Sequence, residues 1–106
     1  METTVSLMAK TLGASGVESA GSDARFAVEG HDGSVLKISV EGRQQRLMAV
    51  LIDAAGVTRA SVDVAPVSHT VADPAAPGRI TLHVGKQRVH LDSRPTPAVE
   101  IVTAEE

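Results

Sequence analysis

The chain has no cysteine, no tryptophan and no tyrosine, and Phe26 is its only phenylalanine. The lack of cysteine excludes disulfides, thiolate zinc sites and thiol nucleophiles, while leaving the redox compartment open. The near-absence of aromatic rings removes the stacking platforms on which single-stranded nucleic acids and sugars are bound, where each stacked base is worth about 1–3 kcal/mol. A core made from this sequence is therefore aliphatic.

Other absences narrow the function classes. No stretch approaches the roughly 18 consecutive apolar residues of a membrane-crossing helix. The opening METTVSLMAKTLG lacks the basic start and apolar centre of a secretory signal, so a cytoplasmic location is expected. There is no G-x-S-x-G, no H-E-x-x-H and no phosphate-cradling glycine loop, and the acids are scattered. Neither enzymatic activity, a catalytic residue nor a cofactor is expected. The formal net charge is −3, and residues 35–92 carry seven bases against five acids. Two excess positive charges are too few for a phosphate-tracking surface, so neither nucleic acid nor a membrane is an expected partner.

What is present suits one domain. A chain of 106 residues buries roughly two-thirds of its unfolded surface, enough for a core without metals or disulfides. Residues 1–24 read as a flexible N-terminal segment, with a short helix or strand over Thr3–Leu12 and a Gly/Ser-rich linker over Gly13–Asp23. Residues 25–92 read as the β domain, and residues 93–106 as a tail ending in Glu105 and Glu106, with a short strand at Val99–Val102.

The β pattern starts at Phe26 and Val28, and resumes at Leu36, Ile38 and Val40 after His31-Asp32-Gly33. A three-residue loop with Gly33 in the left-handed position sets Val28 opposite Leu36 and Phe26 opposite Ile38. A slip of one residue would turn the whole apolar face to solvent.

Arg43–Gly56 holds the longest apolar run, Leu47 to Ile52. As a helix, Leu47, Val50, Leu51 and Ala54 share a face and Gly56 caps the end. As a strand, Asp53-Ala54-Ala55-Gly56 is a turn with Asp first and Gly at the left-handed fourth position. Pairing Asp53 with Val57 then sets Ile52 opposite Thr58, Val50 opposite Ala60 and Met48 opposite Val62. The strand reading explains Val57–Val64, which the helix leaves unexplained. It also makes the strand apolar on both sides, so that Leu47 and Leu51 need a cover of their own.

Pro66, Pro74 and Pro77 break the pattern after Val64, leaving a short edge segment at Val67–Val71. Arg79–Asp92 is the clearest hairpin, with Gly85-Lys86 as a two-residue type II′ turn. Ile80, Leu82, Val84, Val89 and Leu91 face one way, and Thr81, His83, Arg88 and His90 the other. The expected fold is all-β, a small antiparallel barrel or sandwich of about six strands. The alternative is α+β, with residues 43–55 as a helix.

Two surfaces stand out. Leu47 and Leu51, with Arg43, Arg46 and Arg88 as neighbouring bases, suit a protein partner or a second copy of the chain. Thr81, His83, Arg88 and His90 share a polar face suited to a small ligand. His83 and His90 by themselves fall short of the three or four ligands of a zinc site, and Arg88 repels a cation, so no metal is expected. The resulting expectation is a non-catalytic interaction or structural module, a small subunit of a larger assembly. The alternative is a ligand- or metal-binding barrel using the His83/His90 face.

Overall fold

The computed structural model describes residues 2–103. Residues 105 and 106, the acidic end of the expected tail, lie outside them. One helix, α1 (Glu2–Leu12), precedes nine strands: β1 (Ser15–Ala20), β2 (Asp23–Glu29), β3 (Val35–Glu41), β4 (Arg46–Ile52), β5 (Thr58–Val64), β6 (His69–Ala72), β7 (Arg79–Val84), β8 (Gln87–Asp92) and β9 (Ala98–Thr103). They form two antiparallel meanders, a five-stranded sheet in the order β1-β2-β3-β4-β5 and a four-stranded sheet in the order β6-β7-β8-β9. The architecture is sandwich-like, and the expected class holds. The helix alternative for residues 43–55 does not, because β4 occupies the middle of that stretch.

Turn chemistry sets most of the registers. Gly33 has φ +86°, and the β2–β3 hairpin pairs Val28 with Leu36 and Phe26 with Ile38. Gly85 has φ +57° in the two-residue turn that pairs Val84 with Gln87. At the β4–β5 turn the Asp53 carboxylate accepts hydrogen bonds from the amides of Ala55 and Val57, both at 2.9 Å. Gly56 sits there at φ +83°.

The β4–β5 hairpin departs from expectation one rung beyond its turn. Ile52 pairs with Thr58, but the next pair is Leu51 with Ala60, so Arg59 is an extra residue in β5. Its guanidinium reaches back to Asp53 at 2.7 Å. From there the pairs are Ala49–Val62 and Leu47–Val64, while Val50 meets Ser61 and Met48 meets Asp63. The bulge exchanges the two faces of the expected register. Leu47 and Ala49 are fully buried, and Met48, Val50 and Ile52 lie half-buried on the outer side.

A single core fills the space between the sheets. Phe26, Val28, Leu36, Ile38, Val40, Leu47, Ala49 and Val62 of the first sheet join Ile80, Leu82, Val84, Val89 and Leu91 of the second. The cover over Leu47 and Leu51 thus comes from within the chain. Helix α1 completes it, packing against β6, β7 and β2. Val5, Met8 and Leu12, spaced three and four apart, are buried on one stripe, and each such side chain contributes about 1.5–3 kcal/mol. The helix ends in a Schellman motif, with Gly13 at φ +71°, its amide bonded to Lys10 O, and the Ala14 amide bonded to Ala9 O.

Both terminal assignments need correction. Gly13–Asp23, read as a linker, contains β1, which pairs along β2 with an irregularity between Ser15 and Glu18. Ala98–Thr103, read as part of a tail, is a full strand paired with β8. Among the described residues no helix is long and apolar enough to cross a membrane.

Candidate functional site: the polar face and open edge of the second sheet

Strands β7 and β8 alternate strictly. Ile80, Leu82, Val84, Val89 and Leu91 go inward, so Thr81, His83, Arg88 and His90 go outward. The register brings all four predicted ligand residues together. Thr81 lies opposite His90, and its hydroxyl is 2.8 Å from His90 Nδ1. His83 lies opposite Arg88 and, on its other side, opposite His69, with the two imidazoles edge-on at 5.7 Å. One row of the outer face therefore reads His69, His83, Arg88, Val102, and the next reads Val71, Thr81, His90, Glu100. Below them Arg79 grips Asp92 through two nitrogens, at 2.7 and 3.2 Å.

Partial burial, the Arg88 charge and His69 hold the His83 pKa below the ordinary histidine value, in that order of importance. Arg88 is itself tethered to the turn, donating to Gly85 O at 3.1 Å and Gln87 O at 2.9 Å. Among the described residues no group of three or more His, Asp or Glu side chains is placed to hold a metal ion. The face offers a guanidinium held at the turn, a hydroxyl and three imidazoles, those of His69, His83 and His90, to a ligand from solvent.

The five residues expected to form an interaction surface do not share one. Leu47 is fully buried, so it presents nothing to a partner, and Leu51 packs half-buried against the same core. Arg43 is exposed in the β3–β4 turn. Arg46 lies on the outer side of the first sheet, where it forks onto Asp63 at 2.7 and 2.5 Å and depresses that carboxyl's pKa by hydrogen bonding. Arg88 belongs to the outer side of the second sheet. One link joins the two regions, since the Val67 amide bonds Gln45 O and the Ser68 amide bonds His83 O, each at 2.8 Å.

The open sandwich has four edge strands, and three are defended. Strand β1 carries an irregularity and Gly16 at φ +71°. Strand β5 carries the Arg59 bulge and the charged Asp63. Strand β6 has four residues and is flanked by Pro66 and Pro74. Bulges, charges, prolines and shortness all discourage a further strand from pairing. Strand β9, AVEIVT, follows directly on Pro97 and carries Glu100, but it has six residues in unbroken register with β8 and no proline, glycine or bulge within it. Among the described residues its backbone pairs with β8 alone. It leaves Ile101 at 42% and Val102 at 41% exposure, one on each side of the sheet.

Sequence reasoning placed a short strand here but not its position at a sheet edge. The signal was the β-branched run Val99, Ile101, Val102, which suits a strand better than a solvated tail. No protein-family model matches this chain, and no curated protein or solved structure matches it. Fold and surface together define an antiparallel two-sheet sandwich, covered on one flank by a helix, with the edge strands β5 and β9 approaching each other on another.

Proposed function

We propose that this protein is a non-catalytic interaction module of the cytoplasm, a small structural subunit that joins a protein partner or another copy of itself through an exposed strand edge. The observation that carries this reading is β9, whose unpaired backbone edge and two exposed β-branched side chains sit beside three edges that are blunted. The same feature replaces Leu47 as the expected contact, since Leu47 is spent on the core. Light scattering over a wide concentration range, with affinity capture from lysate of its own cells, tests the reading. A stoichiometric complex lost on Ile101→Lys is expected. A particle that stays monomeric and retains nothing sinks it, and cell fractionation checks the compartment.

A second reading has its own support. Thr81, His83, Arg88 and His90 do occupy one face, with His90 oriented by Thr81 and His83 beside Arg88. A small ligand bound there would shift the ring signals of His83 and His90 together. Titrations with zinc, nickel, copper and inorganic phosphate, followed by histidine NMR, decide it. Rings that respond separately or not at all remove this reading.

A further inference from the structure

Resting on the interaction reading above, we infer that β9 pairs with β9 of a second copy, antiparallel about a twofold axis at Ile101, joining two four-stranded sheets into one of eight strands. The occupant follows from what the edge offers. An unpaired backbone edge is complementary to another strand, and the same unbroken edge on a second copy, run antiparallel, offers the matching row of donors and acceptors.

Symmetry limits the register. A twofold axis normal to the sheet keeps inner residues inner, so it must pass through a residue paired with itself. Centred on Glu100, the axis would set two carboxylates directly opposite each other, which is destabilising. Centred on Val99, it would set Ile101 against Pro97, which has no amide to donate. Centred on Val102, it would leave few of the described residues of β9 paired. Centred on Ile101, it pairs Val99 with Thr103 and Glu100 with Val102 and joins like to like only at an uncharged side chain.

Two observations on the monomer agree with that choice. Ile101 lies opposite the fully buried Val89 and so points to the inner side, yet it is 42% exposed although β9 as a whole lies against β4 and β5. Two such isoleucines would cover one another. On the outer side Val102 adjoins Arg88, so the second copy's Glu100 would be the next residue in that row, and the Arg88 guanidinium would exchange its bonds to the Gly85 and Gln87 carbonyls to reach it. Arg88 gains an acid and Glu100 a base, twice per dimer.

The missing cysteine makes the register measurable. Residues paired directly in an antiparallel ladder have Cα atoms about 4.5–5.5 Å apart, inside the range a disulfide spans. Under mild oxidation Ile101→Cys should give a covalent dimer, while Val99→Cys and Thr103→Cys, which face each other rather than themselves, should not. In sedimentation equilibrium Val102→Glu, set against Glu100 of the second copy twice, should weaken the dimer by up to about thirtyfold, whereas Val102→Lys should not weaken it. Far-UV circular dichroism confirms that each variant is folded. Cross-linking of Val99→Cys as fast as Ile101→Cys, or equal losses from Val102→Glu and Val102→Lys, overturns the inferred pairing. A chain that is monomeric up to the millimolar range, yet keeps a different protein that Ile101→Lys releases, overturns the second copy and leaves the interaction reading intact. A monomer that also keeps nothing overturns both.

Discussion

Truncating Leu47 and Met48, adjacent in sequence and on opposite faces of β4, separates the observed sandwich from the regular hairpin. Leu47 is fully buried, flanked on the core face by Val40 and Val64 and belonging to the cluster that includes Ile80, Leu82, Val89 and Leu91. Leu47→Ala removes apolar contacts on every side and leaves a cavity that two hydrogen-bonded sheets cannot close. The expected cost is about 3–4 kcal/mol, within the range for buried leucines. That is a large part of the roughly 5–15 kcal/mol by which a domain of this size is stable. It corresponds to a fall in Tm of roughly 15–25 °C. Met48 lies half-buried on the outer side between Ser39 and Asp63, so Met48→Ala should cost about 1 kcal/mol. With no tryptophan or tyrosine to report unfolding by fluorescence, the assay is urea denaturation followed by far-UV circular dichroism. The midpoint should move and the slope should not. A larger loss for Met48→Ala than for Leu47→Ala would refute the bulged register, because it would put Met48, Val50 and Ile52 in the core.

Deleting Arg59 should leave the protein folded, since loss of the extra residue turns Thr58–Val64 into a regular partner of β4 with Ala60 still opposite Leu51 and Val62 still opposite Ala49; thermal melts of this variant and of Arg59→Ala should lie close together, and unfolding by the deletion alone would refute the bulge. Gly42→Ala should destabilise by about 1–3 kcal/mol, because a Cβ there would meet the Ser22 carbonyl oxygen and press the β3–β4 and β1–β2 turns apart. Stability should fall with acid in two stages. His83 has a lowered pKa when folded, so the unfolded chain binds the extra proton and stability drops as pH falls below about 6.5. Asp32, hydrogen-bonded chiefly by the Ser34 hydroxyl, Asp53, by the Val57 amide, and Asp63, by Arg46, are also depressed. Their contribution is present above about pH 4 and lost below it. His83→Gln should remove the upper stage alone in urea titrations at stepped pH.

Much of this molecule could be read from its residues because the deciding interactions are local. The β2–β3 register follows from Gly33 and the alternation on either side of it. The type II′ turn at Gly85-Lys86 fixes all of β7 and β8, and with them the face that carries Thr81, His83, Arg88 and His90. Strand β1 was missed because SGVESA has a single large apolar residue, Val17, and so little alternation. A Gly21-Ser22 pair between β1 and β2, with Gly21 at φ +63°, was the hairpin signal available. Strand β9 was underestimated for a related reason. Its partner, β8, already closed a convincing hairpin with β7.

The sequence by itself determined the β class, the turns at Gly33, Asp53–Gly56 and Gly85-Lys86, the central strand at Leu47–Ile52 and the faces of β2, β3, β7 and β8, because a turn is settled by four or five neighbouring residues. Only the tertiary structure decided which face of β4 became the core. The choice rested on one extra residue in β5, and a side-chain period of two converts a single-residue shift into a complete exchange of inside and outside. Tertiary packing likewise made Leu47 a core residue rather than a contact surface. It also placed β9, at the end of the second meander, at a sheet edge, paired with β8 alone among the described residues.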